Sequence, residues 1–374
     1  LQDPISAMDF SREVLELSPD HEDTLVLLQG VFEQMEDFRV EAGRLLEPVL
    51  RRHDLYDNLV VVLQDRAGNI DYIDEAPVLW REVGEIDTKH TNDGDLARTA
   101  YETLFEMEPQ DEDVRGRLSA IAASDQSWSL LTDKYAKVLA DNYEIDDQLR
   151  VVLFGELAQL FEERLEDLDL ARDTYEQVLG YEPEHSGTLD ALDRIYSRQN
   201  DWTALAELYR RRADNTLDPE QRMDWLFNLA TLYEEILEDP ASASDVYNEV
   251  VGVDPLAEQP RRILERLLRQ VGRWDELATL FREEVDMSED EGERHDRLFR
   301  LASLLEGELD RVEEALDLYQ EIISADTGHH DTRRSLEGLL RDLGLEDTDN
   351  SQLEIRIVDM LMDVFTPEED LDKV

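Results

Sequence analysis

One phrase written twice constrains this chain more than any other feature. NDWTALAELYRRRAD (Asn200–Asp214) returns 72 residues later as GRWDELATLFREEVD (Gly272–Asp286). Three further segments keep the same interval: LARDTYEQVLGYEP (Leu170–Pro183), SASDVYNEVVGVDP (Ser242–Pro255) and EALDLYQEIISADT (Glu314–Thr327). LARTAYETLFEMEP (Leu96–Pro109) lies 74 residues ahead of the first of these, and SAMDFSREVLELSP (Ser6–Pro19) a further 90. Self-similarity at such a period marks a repeat architecture, in which each unit buries its apolar faces against its neighbours.

The alignment assigns a task to each column. Ala7, Ala97, Ala171, Ala243 and Ala315 share one position. Four residues on stand Ser11, Tyr101, Tyr175, Tyr247 and Tyr319, and three further on Val14, Leu104, Val178, Val250 and Ile322. Spacings of four and three stack these side chains on one helical face. Pro19, Pro109, Pro183 and Pro255 close the segment, because proline cannot continue a helix. Thirteen residues upstream of the alanines runs a second small column, Gly84, Ala158, Ala230 and Ala302. Two helices therefore touch where their side chains are smallest. A second hairpin follows, with Phe38, Trp128, Trp202 and Trp274 in one column; Trp202, Leu205, Ala206 and Tyr209 fall at i, i+3, i+4 and i+7.

The expected fold is all-α: an α-α superhelix, a solenoid of stacked helical hairpins in 72-residue units of two hairpins each. It forms one array over 1–374, with units at about 1–75, 76–148, 149–220, 221–292 and 293–345 and a closing helix at 351–365. About 18 extra residues near 54–75 lengthen the first unit, as a loop on one face or a decorated helix connection.

The first hairpin resembles the tetratricopeptide repeat. The matching residues are Phe154, Leu157 and Ala158, then Ala171, Tyr175, Val178 and Pro183. Leu226, Leu229, Ala230, Ala243, Tyr247, Val250 and Pro255 repeat the set, as do Leu298, Leu301, Ala302, Ala315, Tyr319 and Ile322. Trp80, Val83, Gly84, Ala97, Tyr101, Leu104 and Pro109 give a fourth copy, so the likeness runs from about 78 to 327. The second hairpin departs from the pattern, with Ser119, Asp193, Glu265 or Glu337 where the family has a small residue. The resemblance implies a concave face that binds extended peptides or partner helices.

The 374 residues carry 93 acids against 37 Lys plus Arg, a net charge of −56, and of the basic residues only four are lysine. That balance argues against contact with nucleic acid phosphates. It fits either a surface adapted to salt or a basic partner. The chain has no cysteine, which excludes disulfides and thiol chemistry. No run approaches the roughly 20 apolar residues of a membrane helix, and a soluble, cytoplasmic protein without membrane contact is expected.

No phosphate loop, GxGxxG or HExxH occurs, so no catalytic, cofactor or metal residue is assigned. His329–His330 reads as a loop pair, since adjacent helical residues point apart. The charged feature that stands out is an arginine set on the first helix of the second hairpin: Arg194 (with Arg198), then Arg262, Arg266 and Arg269, then Arg334 and Arg341. First helices line the groove in the resembled family. These arginines are thus candidate peptide-binding residues, suited to bidentate capture of carboxylates, with pairing to neighbouring acids as the competing reading. The expected function is a non-catalytic scaffold for a protein or peptide, with no cofactor. The alternative is a regulatory or spacer segment of a larger enzyme or signalling protein, to which the missing start methionine points.

Overall fold

The computed structural model describes residues 4–69, 74–91, 94–343 and 351–364. The described residues hold twenty α-helices and no strand. They fall into two compact units, Leu1–Ile195 and Tyr196–Val374.

The first unit opens with α1 (Pro4–Leu17), α2 (Glu22–Gln34) and α3 (Arg39–Arg52). The extra residues of the long first repeat form a helix, α4 (Tyr56–Ala67). Leu59, Val60, Val62 and Leu63 of α4 are buried in the same core as Leu46 of α3 and Val83 further on. Of the two expectations, a loop or a helix connection, the residues form a helix: four apolar residues within one and a half turns, in NLVVVL, have enough area to be drawn inside. Residues 70–73 lie outside the described set. Next come α5 (Ala76–Ile86), α6 (Gly94–Met107), α7 (Glu112–Asp125), α8 (Trp128–Asp141), α9 (Asp147–Glu163), α10 (Leu168–Tyr181) and α11 (Ser186–Gln199), the last straddling the division between units.

The second unit continues with α12 (Trp202–Asn215), α13 (Pro219–Thr231), α14 (Pro240–Val253), α15 (Glu258–Val271), α16 (Trp274–Asp286), α17 (Glu291–Gly307), α18 (Val312–Ala325), α19 (His330–Leu343) and α20 (Ser351–Val364). Successive helices pack in chain order, α13 on α14, α17 on α18 and so on. The expected closing helix is α20; residue 365 lies outside the described set. Ile357, Met360 and Leu361 of α20 are buried against the preceding helices.

The alanine columns do what their conservation of size demands. Ala158, Ala230 and Ala302 on first helices, and Ala171, Ala243 and Ala315 on second helices, are all 0% exposed. Tyr101, Tyr175, Tyr247 and Tyr319 are buried beside them. The tryptophan column has another role: Trp128, Trp202 and Trp274 are the first residues of α8, α12 and α16 and are only half-buried.

Aspartate sets many of the helix starts. Asp146, Asp218 and Asp290, spaced by 72, accept backbone N–H bonds at the N-termini of α9, α13 and α17. Asp167 and Asp239 do the same for α10 and α14. An ionised oxygen at this place satisfies an orphan donor and meets the positive end of the helix dipole. Hydrogen bonds from the Ser242 hydroxyl and from backbone amides hold the Asp239 carboxyl below its ordinary range. Histidine substitutes for aspartate at the starts of three helices. His21, His185 and His329 each pair through Nδ1 with the amide and hydroxyl of the threonine three residues on. That is the role of His329 in the His329–His330 pair.

The tight turns recur too. Glu166, Glu238 and Asp310, again 72 apart, take positive φ of 51–53° between the two helices of the first hairpin. Gln126, Asn200 and Gly272 take φ of 61°, 55° and 77° at the matching turn of the second. After the proline column, Arg115 and Arg261 fold back to donate to the carbonyls of Pro109 and Pro255, at 2.8 and 2.6 Å.

Candidate binding surface

Odd-numbered helices from α5 onward are the first helices of their hairpins, and charged side chains bridge one first helix to the next. Glu162 on α9 is 9% exposed and accepts from the Tyr175 hydroxyl at 3.0 Å and from Arg194 of α11 at 3.4 Å. In the next repeat a π turn at Leu232–Ile236 presents Glu234 to Arg266 of α15, with Tyr247 within the field of both charges. Burial, then the nearby Glu162 charge, pushes the Tyr175 phenol well above its usual range, so it acts purely as a neutral donor.

The predicted arginines therefore have intrachain partners. Besides those two, Arg262 meets Glu258 at 2.9 Å, Arg269 meets Glu265 at 3.1 Å and Arg334 meets Asp331 at 3.5 Å, each within its own helix. Arg341 and Arg198 are exposed on α19 and α11. The side chains of Arg262, Arg266 and Arg269 on α15 are 78%, 52% and 48% exposed. Such exposed pairs contribute about 0–1 kcal/mol each. Arg194 lies in the first unit and the others in the second, so the set is two separate groups.

The structure adds a site that the sequence reading passed over. Between α7 and α9 lies a cavity of about 370 Å³ lined by Gly116, Ser119, Trp128, Tyr135, Leu160 and Arg164 among others. Its wall is fixed: buried Arg115 reaches Glu156 at 2.9 Å, and the Tyr135 hydroxyl donates to the same carboxylate at 2.7 Å. Arg164 lies 5.1 Å from the centre of the Trp128 ring. A Cβ built on Gly116 would meet nothing within 4 Å, so the floor is open there. The signal was present in the columns. Later units carry Asp190, Arg262 or Arg334 at the register of Gly116, and Asp193, Glu265 or Glu337 at that of Ser119. Compared with these later units, this copy keeps both positions uncharged.

Among the described residues no group of three or more His, Asp or Glu side chains is arranged to hold a metal ion, and no helix is long and apolar enough to cross a membrane.

Residues 188–223 and 262–294 match the tetratricopeptide repeat family. Both stretches fall on second hairpins, the ones whose small-residue column departs from the pattern. Among solved structures, YrrB, described as a tetratricopeptide protein with an unusual peptide-binding site, is 15% identical over 54% of this chain and 97% of its own, with a TM-score of 0.24. The TPR2AB domain of yeast Sti1, in a complex with pHSP90, is 14% identical over 75% of this chain and 98% of its own, with a TM-score of 0.26. The Naa15/Naa10 structure bound to HypK is 12% identical over 95% of this chain, which spans 59% of its partner in the alignment, with a TM-score of 0.33. No curated protein matches the sequence.

Proposed function

The chain is a tetratricopeptide-like helical repeat protein, and from that premise we propose that it is a non-catalytic scaffold that binds a protein or peptide on its first-helix face. The observation that carries this reading is the cleft between α7 and α9. It joins the open positions of Gly116 and Ser119, the rings of Trp128 and Tyr135, a fixed Arg115–Glu156 pair and the charges of Glu112, Glu163 and Arg164, a mixture of apolar area and polar groups suited to a side chain that carries both. The exposed arginines of α15 and α19, in the second unit, form a separate group in this reading and offer carboxylate contacts of their own.

The test uses substitutions that the repeat itself accepts elsewhere. Gly116→Arg with Ser119→Glu installs the residues of the α15 register and fills the cleft. We expect unfolding free energy to stay within about 0.5 kcal/mol of the parent, as for exposed helical positions. Affinity for ligands selected on a peptide array against the whole chain should fall about tenfold or more. Arg262→Glu with Arg266→Glu should weaken only the acidic members of that set. If neither double variant changes any affinity in fluorescence polarisation, binding does not use this face and the reading fails.

A further inference from the structure

The tyrosine–glutamate–arginine contact occurs at a 72-residue interval, and its third copy is incomplete. Tyr175, Glu162 and Arg194 form the first; in the second Glu234 holds Arg266, with Tyr247 within the field of both charges. In the third, Tyr319 donates to Glu306 at 2.7 Å as expected, but the position equivalent to Arg194 and Arg266 is Gly338. We propose that the place vacated at Gly338 is a docking site for an arginine or lysine side chain of the binding partner, received by the Glu306 carboxylate.

Four observations carry this. The space exists: a Cβ on Gly338 would meet nothing within 4 Å, and beside it a cavity of about 690 Å³ is lined by Glu306, Asp310, Leu339 and Asp342 among others, though not by Gly338 itself. The ligand chemistry is shown by the chain itself, since the equivalent glutamates of both sister copies each hold a guanidinium delivered from the next first helix. Among the described residues the one cation lining the cavity, Arg311, is already engaged by Asp275 at 2.6 Å and faces Glu314. Burial, with the neighbouring Asp342 charge, pushes the Glu306 carboxyl upward, as it would for a buried acid lacking its counterion. Lastly, the acids here are not set out as metal ligands, because no such group exists among the described residues.

A guanidinium fits better than an ammonium. Its planar fork can bond Glu306 and Asp342 together while its stem lies along Leu339. The net charge of −56 draws a basic segment toward the surface, and Glu306 then selects which residue is held.

This inference rests on the scaffold reading and names the chemistry of one partner residue. The probe is a fluorescein-labelled nine-residue peptide with one central arginine among glycine, serine and two flanking lysines, beside the same peptide with citrulline at the centre. The protein is the full chain. We expect citrulline to weaken binding about tenfold, and Glu306→Gln to weaken the arginine peptide equally and erase the difference between the two. Gly338→Arg should supply the missing guanidinium from within, raise Tm by a few degrees and abolish the arginine preference. Either substitution alters the net charge by a single unit, so general attraction to the acidic surface cannot mimic the loss. Equal binding of arginine and citrulline peptides to the parent, or an arginine preference that survives in both variants, overturns the proposal. Because Gly116→Arg with Ser119→Glu leaves this site untouched, loss of cleft binding and loss of this preference are separate results.

Discussion

Phe281→Ala is expected to lower the unfolding free energy by about 3–5 kcal/mol, the range for deleting a fully buried aromatic ring. Phe281 of α16 is 1% exposed. Its ring lies 4.4 Å from the guanidinium of Arg300 on α17 and 5.8 Å from that of Arg269 on α15. Its removal leaves a cavity and also takes away the surface on which two cations rest, so the arginine contacts loosen with it. In a repeat array each layer contacts mainly its neighbours, so the loss stays local. Hydrogen exchange should accelerate in α15, α16 and α17 while protection of α9 and α10 is unchanged. Urea melts give the total. A loss below about 1 kcal/mol, or an even rise in exchange along the chain, would show that the layer is not the unit of cooperativity.

Gly84→Ala should be the most harmful glycine-to-alanine change among the described residues, at about 1–3 kcal/mol. By column Gly84 equals Ala158, Ala230 and Ala302, and alanine would be harmless there. By geometry it is not: a Cβ at position 84 would stand 2.6 Å from Cζ and 2.8 Å from Cε2 of Tyr101. Tyr101 is 1% exposed, and its hydroxyl is engaged by Arg117 at 3.2 Å, so the ring has nowhere to go. Shortening the ring should rescue the variant, and Gly84→Ala combined with Tyr101→Leu should be more stable than Gly84→Ala alone. Thermal melts of the three proteins decide it; additive losses would remove the steric explanation.

That difference shows where reading columns succeeds. Helix existence and the facing of small residues were legible because they depend on periodicity: Ala158 and Ala171 are apart in sequence but alike in size, and both are fully buried. The extra residues after Asp54 were harder. Nothing in the 72-residue pattern describes an inserted helix, yet Leu59 to Leu63 have enough apolar area to enter the core. The π turns at Asp87–Thr91 and Leu232–Ile236 were invisible, since a single widened turn leaves no compositional trace. The arginine stripe on α15 was a reading of spacing. Its counterions were not foreseeable in detail, because Arg266 pairs with Glu234, 32 residues away on another helix, while Arg262 pairs within its own. The cleft beside Trp128 was missed for a different reason: it is defined by what Gly116 and Ser119 lack, and pattern searches look for what is present.

The aspartates that begin α9, α10, α13, α14 and α17 make part of the acidity structural. An engineer wishing to neutralise this protein, for crystallisation or to suit it to another environment, faces two populations of carboxylate. Glutamates along exposed flanks can be exchanged freely. The aspartates at 72-residue spacing hold the first peptide groups of those five coils in place, and swapping them for lysine would loosen these helices from their turns inward.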